Sequence, residues 1–148
     1  MIELIFVSQE IYPTPLRNRD WYQKISRIIR SIIPVWIEMD TSIIFLDESE
    51  MRRVNRRHHH QDRVTDVLSF FYPQTPTEKN IGELYVCIAQ INRQAKRYKT
   101  NFLAEYVRVV VHGLLHLQGY DHMKTPERKR MNLLATDIAL QIKKKRLC

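Results

Sequence analysis

Residues 102–117, FLAEYVRVVVHGLLHL, are apolar on nearly every side of the helix that their spacing predicts. A surface helix carries a single apolar stripe, whereas a helix that is apolar all round must be enclosed by other elements. The remainder of this small chain then has to be arranged around the segment. The sequence therefore predicts a fold with one buried helix at its centre.

The other predicted elements are short strands and helices that do not alternate strictly. Runs rich in β-branched and aromatic residues predict strands at 2–7, 41–46, 66–72 and 81–88. Apolar spacing and end signals predict helices from Asp20 to Pro34, from the N-cap Asp47 onward, at 89–99, and from the N-cap Thr125 with Pro126 as first helical residue. We expect an α+β fold, a single domain over residues 1–148 in which a small mixed sheet packs with about five helices.

Positive charge is concentrated in the later part of the chain. The whole sequence has 24 Lys and Arg against 16 Asp and Glu, a net charge of +8. Residues 1–50 contain 5 basic and 8 acidic side chains, whereas residues 51–148 contain 19 and 8. This asymmetry favours a polyanionic partner, most often nucleic acid, although basicity alone leaves a solubilising surface open as the alternative.

The composition indicates a cytoplasmic protein. No apolar run reaches the ~18–20 residues of a transmembrane helix. The first residues, MIELIFVSQE, lack the basic segment and the cleavage site of a secretory signal peptide. Two cysteines, Cys87 and Cys148, do not form a disulfide framework. We expect a reducing environment and no membrane partner.

Three of the six histidines lie within HGLLHLQGYDH, residues 112–122. His112 and His116 are four residues apart, so they share one face of the central helix. On a continuous helix His122 would lie about 15 Å further along the axis than His112. Gly119 can end the helix in a left-handed conformation and turn the chain back. The spacing thus predicts three ligands of a catalytic zinc site with an open fourth position.

Two neighbouring positions, Asp121 and Gly113, bear on the chemistry of this site. Asp121 could be a fourth ligand, a residue that orients a histidine, or a turn residue. Metzincin proteases share the histidine spacing but place a glutamate general base directly after the first histidine, where this chain has Gly113. Zinc binding is therefore retained in the prediction, and peptidase chemistry is disfavoured.

HGLLHLQGYDH, TDVLSF at 65–70 and IGELYV at 81–86 together resemble the YbeY family of bacterial metal-dependent endoribonucleases. The resemblance implies an enzyme that matures the 3′ end of 16S ribosomal RNA and acts in ribosome quality control. It also implies single-stranded ribosomal RNA and the small ribosomal subunit as partners. The family's metal ligands correspond to His112, His116 and His122, with one Zn²⁺ per chain.

The family motif L-N-x-x-Y-R-x-x-D corresponds to VNRRHHHQD, in which Asn55 and Asp62 match. His59 stands in place of the family's cleft arginine, which is expected to hold a phosphate. A histidine can donate a hydrogen bond but is mostly neutral at pH 7. Neighbouring basic residues could supply the missing charge as RNA-binding residues; they are Arg56, Arg57 and Arg63. The run His58, His59 and His60 could also form a second metal site, although a polar cleft-edge or solvated segment is favoured.

The sequence thus predicts a zinc-dependent endoribonuclease that cleaves RNA with a zinc-bound water, the basic segments 51–57 and 93–99 following the RNA backbone. His59 and Asp121 are the candidate catalytic residues for proton transfer. Two alternatives remain: a zinc-dependent peptidase, and a non-catalytic RNA-binding factor of ribosome assembly.

Overall fold

The computed structural model describes residues 2–6, 14–120 and 125–148. Within them, the four strands are β1 (Ile2–Phe6), β2 (Met39–Leu46), β3 (Val67–Tyr72) and β4 (Asn80–Cys87). The α-helices are α1 (Arg19–Ile32), α2 (Glu48–His59), α3 (Ile88–Arg97), α4 (Phe102–Leu117) and α5 (Thr125–Lys144). A short 3-10 helix, Thr14–Arg17, precedes α1.

The strands form one mixed sheet in the order β1-β2-β4-β3. The first three strands of that order are parallel, and β3 pairs antiparallel with β4 at the edge of the sheet. Ile43 of β2 pairs with Leu84 of β4, which in turn pairs with Ser69 of β3. The fold is α+β, with a small mixed sheet and five described helices, as the sequence predicted.

The two faces of the sheet are covered unequally. A large core on one face joins α1, α4 and α5 to inward side chains such as Ile43, Phe45 and Leu84. A smaller core on the other face is built around α2, with Met51 packed against Leu46 and Leu68. The helix α4 therefore lies on the heavily covered face, enclosed by β3, β4, α3 and α5.

The prediction of a central buried helix at residues 102–117 is confirmed with the same bounds. Ten of the sixteen residues of α4 are buried, which is why its sequence is apolar nearly all round. Asn101 caps the helix, because its side-chain oxygen accepts a hydrogen bond of 2.8 Å from the Ala104 amide. Among the described helices, none is long and apolar enough to cross a membrane.

Gly113 allows α4 to lie directly against the sheet. A Cβ atom at this position would be 2.9 Å from Leu84 Cδ2 and 3.2 Å from Val67 Cγ2, closer than ordinary van der Waals contact. The Ser69 hydroxyl donates a hydrogen bond of 3.3 Å to the Gly113 carbonyl. The absence of a side chain at residue 113 is therefore what the packing of α4 on β3 and β4 requires.

Most predicted helix ends agree with the structure. Asp47 and Glu50 form a reciprocal capping box at the start of α2. The inner face of α5 is formed by the buried residues Met131, Ile138 and Ile142. The predicted N-cap is one residue off, because Thr125 is the first residue of α5 and not the residue before it. The polar segment 73–79 between β3 and β4 is a loop.

We predict that Gly113→Glu lowers the free energy of unfolding by about 3 kcal/mol or more, because it inserts a charged side chain between a buried helix and the sheet. Urea denaturation followed by circular dichroism measures the loss. Gly113→Ala is a smaller change at the same position. It should lower the free energy of unfolding by about 1 kcal/mol, because the gain in helix propensity offsets part of the cost of the close contact. Wild-type stability of Gly113→Glu would contradict the packing described for this position.

Candidate functional site

A cavity of about 600 Å³ opens between α4, β3 and the C-terminal end of α2. Its polar lining residues are His59, Thr65, Asp66, Ser69, Arg108, His112 and His116. Both TDVLSF and the histidine motif contribute to this lining, although they are more than forty residues apart in sequence. The pairing of β3 at the sheet edge and the packing of α4 beneath it bring the two motifs together.

His112 and His116 converge within the cavity. Their Nε2 atoms are 3.0 Å apart, and their rings are nearly perpendicular, with an interplanar angle of 83° and centroids 4.5 Å apart. Both rings are partly buried and line the cavity. Adjacent turns of one helix thus direct the same ring atom of two histidines to one point, as the spacing predicted.

The end of α4 also follows the prediction made from Gly119. This glycine has φ of +92°, and its amide donates to the His116 carbonyl while the Tyr120 amide donates to the Leu115 carbonyl. These two bonds form a Schellman motif, for which glycine is the favoured residue. The chain therefore turns directly after the second histidine.

Asp121 and His122 lie outside the described residues. Their predicted roles as catalytic residue and third metal ligand remain predictions. In the part of the chain that the structure describes, no group of three or more His, Cys, Asp or Glu side chains is placed to hold a metal ion.

His59 lies at the rim of the same cavity, as the last residue of α2. Its ring centroid is 6.0 Å from that of Phe70 on β3, and the His58 centroid is 5.0 Å from the same ring. His60 ends the helix in a left-handed conformation with φ of 56°. The structure thus brings His59, and not its two histidine neighbours, to the cavity with His112 and His116.

The connection from α2 to β3 is held by the two residues that match the family motif. Asn55 is buried, and its side-chain nitrogen donates a hydrogen bond of 2.9 Å to the Arg63 carbonyl. Asp62 accepts two hydrogen bonds from Arg52, of 2.8 and 3.1 Å, which lower the pKa of its carboxyl. These bonds fold the connection back along α2 and so position His59 relative to β3.

The three arginines predicted to bind RNA do not line the cavity. Arg56 and Arg57 are exposed on α2, with Arg56 3.7 Å from Asp62, and Arg63 is exposed on the connection, where it donates to the Gln61 side chain. They belong to the exposed surface of α2 and of the connection that follows it. Their contact with RNA stays a prediction.

Arg108 is a cavity residue that the sequence reasoning missed. It lies one turn before His112 on α4 and makes bonds of 2.6 to 3.1 Å to both carboxylate oxygens of Glu105. Glu105 is only 3% exposed, and Gln94 of α3 donates to it and also to Asp66, each at 3.0 Å. The hydrogen bonds to Glu105 raise the pKa of Arg108 above its usual value.

Known proteins with this sequence pattern support a family assignment. The family model described as Endoribonuclease YbeY matches residues 7–143 of the chain. The chain belongs to the YbeY family. Endoribonuclease YbeY of Lactobacillus helveticus is 35% identical over 126 residues, which are 76% of this chain and 72% of that protein. Endoribonuclease YbeY of Paraburkholderia phytofirmans is 28% identical over 130 residues, 84% of this chain and 85% of that protein.

A solved structure agrees with the fold. The solution structure of a Thermotoga maritima protein has a TM-score of 0.59 to this chain at 25% sequence identity. The similarity covers 99% of this chain and 95% of the other protein. The resemblance to YbeY expected from the sequence motifs is therefore confirmed over most of the chain.

Arg108 and Glu105 could not have been assigned to a YbeY site from the motifs alone. Both lie within the apolar segment 102–117, where an i, i+3 pair of opposite charges is usually a solvated or structural pair. The only available signal was that Arg108, His112 and His116 follow one another at four-residue spacing. That spacing places Arg108 on the histidine face of the helix.

We predict that Asn55→Ala lowers the free energy of unfolding by about 2 kcal/mol, because the Arg63 carbonyl loses its hydrogen-bond donor and a small void remains where the buried Asn55 side chain was. Arg53→Ala, an exposed change on the same helix, is the control and should alter stability by less than about 0.5 kcal/mol. Chemical denaturation of both variants gives the comparison. Equal stability of the two would show that Asn55 does not hold the connection.

Proposed function

We propose that this chain is a zinc-dependent endoribonuclease that cleaves single-stranded RNA in the cavity between α4 and β3. In this proposal it acts in the cytoplasm on the small ribosomal subunit, where it matures the 3′ end of 16S ribosomal RNA and contributes to ribosome quality control. The observation that carries the proposal is the convergence of His112 and His116 inside a polar cavity in a chain of the YbeY family.

The geometry of the histidine pair fits a zinc ion. Two nitrogen ligands of a tetrahedral zinc, each about 2.0–2.1 Å from the metal, lie about 3.3 Å from one another. The two Nε2 atoms are 3.0 Å apart, and the ring planes are nearly perpendicular. This separation is also that of a hydrogen bond between the two rings, and it is close to the separation that two ligands of one zinc ion require.

In the proposed site His112, His116 and His122 hold one zinc per chain, and a fourth position is left for substrate or water. When bound, zinc supplies Lewis-acid chemistry, which lowers the pKa of water towards about 7 and polarises a phosphoryl oxygen. The end of α4 at Gly119 means that His122 does not continue along the helix axis, which favours His122 as the third ligand. Asp121, beside it, either orients a histidine or moves a proton.

The side chains of the protein have to bind the RNA and transfer protons during its cleavage. His59 at the rim can donate a hydrogen bond to a phosphate oxygen or give a proton to the leaving oxygen. Phe71 lines the cavity and is 39% exposed, so it offers a surface on which a base of single-stranded RNA can stack. Arg56, Arg57 and Arg63 bind the backbone outside the cavity.

The position of Gly113 supports RNA cleavage over peptide hydrolysis. A metzincin protease needs a glutamate directly after the first histidine. In this chain that position faces Leu84 and Val67 of the sheet, with no room for a side chain directed into the cavity. The proposed chemistry does not need a base at residue 113.

We predict about one zinc per chain in the purified protein, and cleavage of a single-stranded ribosomal RNA fragment that a chelator abolishes. His116→Ala and His122→Ala should each lower the cleavage rate by roughly a hundredfold or more, because a site with two remaining histidines holds the metal poorly. Elemental analysis and gel electrophoresis of the RNA products measure both quantities.

The matched control is His60→Asn, which removes an exposed histidine outside the cavity while asparagine tolerates the left-handed conformation. Its zinc content and cleavage rate should equal those of the wild type. Undiminished cleavage by His122→Ala would refute the metal site. Bound zinc and RNA binding without cleavage by the wild type would instead favour a non-catalytic assembly factor.

A further inference from the structure

We propose that Arg108 binds an RNA phosphate within the cavity and that the buried Glu105 is its positioning residue. The inference rests on the proposed function, since it takes single-stranded RNA as the ligand. It goes beyond that proposal because it places the phosphate-binding charge on α4, next to the histidine pair, and not on α2.

The first step concerns charge. A phosphodiester is an anion, and a site that cleaves it needs a cation at the phosphoryl oxygens. Among the described residues that line the cavity, Arg108 is the one that is positively charged at all ordinary pH values. Arg56, Arg57 and Arg63 lie outside the lining, and His59 is a histidine.

The second step concerns position. Arg108, His112 and His116 are spaced by four residues, so they form one stripe along α4, with a rise of about 6 Å from one to the next. Consecutive phosphates of extended RNA are separated by a similar distance, so neighbouring phosphates can reach Arg108 and the histidine pair together. Arg108 and His112 also line a second cleft of about 460 Å³ with Asn132, Thr136 and Lys143 of α5. A strand that passes the histidines therefore continues over Arg108 towards Lys143.

The third step concerns the guanidinium itself. Glu105 occupies the edge formed by Nε and Nη2, while Nη1 makes no hydrogen bond to any described residue. The Arg108 side chain is 51% exposed, whereas Glu105 is 3% exposed. A carboxylate that fixes one edge of an arginine leaves the other donors preorganised for a phosphate and reduces the entropy lost on binding.

The neighbouring carboxylates do not use up the donors of Arg108. Asp66 Oδ2 lies 3.8 Å from Arg108 Nη2, beyond hydrogen-bond distance. Asp66 instead accepts hydrogen bonds from the Val67 amide and from Gln94. Gln94 also donates to Glu105, so one amide on α3 holds both acidic side chains in place. Both carboxylates thus hold the guanidinium in place, and the N–H groups of Nη1 are what Arg108 offers to a phosphate.

The experiment measures binding of a fluorescently labelled single-stranded oligoribonucleotide to the purified protein on ice, by anisotropy over a series of KCl concentrations. Arg108→Gln should weaken binding about tenfold. It should also reduce the slope of log Kd against log salt by about 0.7, the value for one lost phosphate contact on a single strand. Arg19→Gln, which removes an exposed arginine at the start of α1, is the charge-matched control and should leave both values unchanged.

Glu105→Gln tests the positioning role. Arg108 keeps its charge in this variant, so the salt slope should stay at the wild-type value while the affinity falls severalfold. In the Arg108→Gln background, the same Glu105 change should have no further effect on affinity. A purely structural role of Glu105 would weaken binding equally in both backgrounds and would overturn that part of the proposal.

The double variant also guards against a folding artefact, because Arg108→Gln alone leaves a buried carboxylate without its arginine. If thermal unfolding shows that the Arg108→Gln protein is destabilised, the slope of log Kd against log salt is measured on the Arg108→Gln, Glu105→Gln double variant. Wild-type affinity and slope in a folded Arg108→Gln or double variant would overturn the inference while the proposed function stands. Absence of RNA binding by the wild type would overturn both.

Discussion

The contact between α4 and the sheet at Gly113 is the constraint on which the rest of the structure depends. A Cβ atom there would be 2.9 Å from Leu84, so the helix can approach β3 and β4 only because the side chain is absent. This close approach places His112 and His116 beside the edge strand and not beneath the centre of the sheet. The cavity is the space left between a helix that touches the sheet and an edge strand that carries no further partner among the described strands.

The same contact explains the distribution of polar groups. The face of α4 that packs on the sheet is apolar. Other core residues of α4 pack with α1 and α5. On the cavity side it carries Arg108, His112 and His116, and the buried Glu105 balances the arginine. A buried carboxylate is tolerated because three neighbouring N–H groups satisfy it, two from Arg108 and one from Gln94. One helix thus serves both as the centre of the core and as the wall of the site.

Local signals in the sequence were sufficient for much of the fold. The Asp47 N-cap, the left-handed Gly119 and the bounds of α4 all depend on residues within a few positions of one another, and the structure has them as predicted. The site was only partly accessible to such reasoning. Spacing alone indicated the convergence of His112 and His116.

Features that depend on contacts between distant segments were not predictable in the same way. The link from Asp66 through Gln94 to Glu105 joins a loop, α3 and α4, and no local pattern specifies it. The placement of His59, and not Arg56 or Arg57, at the cavity depends on how Asn55 and Asp62 fold the connection after α2. Resemblance to the family indicated that these residues matter, whereas their contacts could be read only from the structure.

The burial of α4 has a consequence for motion in the site. Amides in the middle of a helix enclosed on most sides exchange with solvent only when the whole domain opens, so the backbone under His112 is among the least mobile parts of the molecule. Rearrangement around a ligand is then expected on the opposite wall, where β3 is an edge strand with exposed Phe71 and Tyr72. The burial of α4 thus predicts one rigid wall and one more adjustable wall, with differences in ligand size accommodated on the strand side.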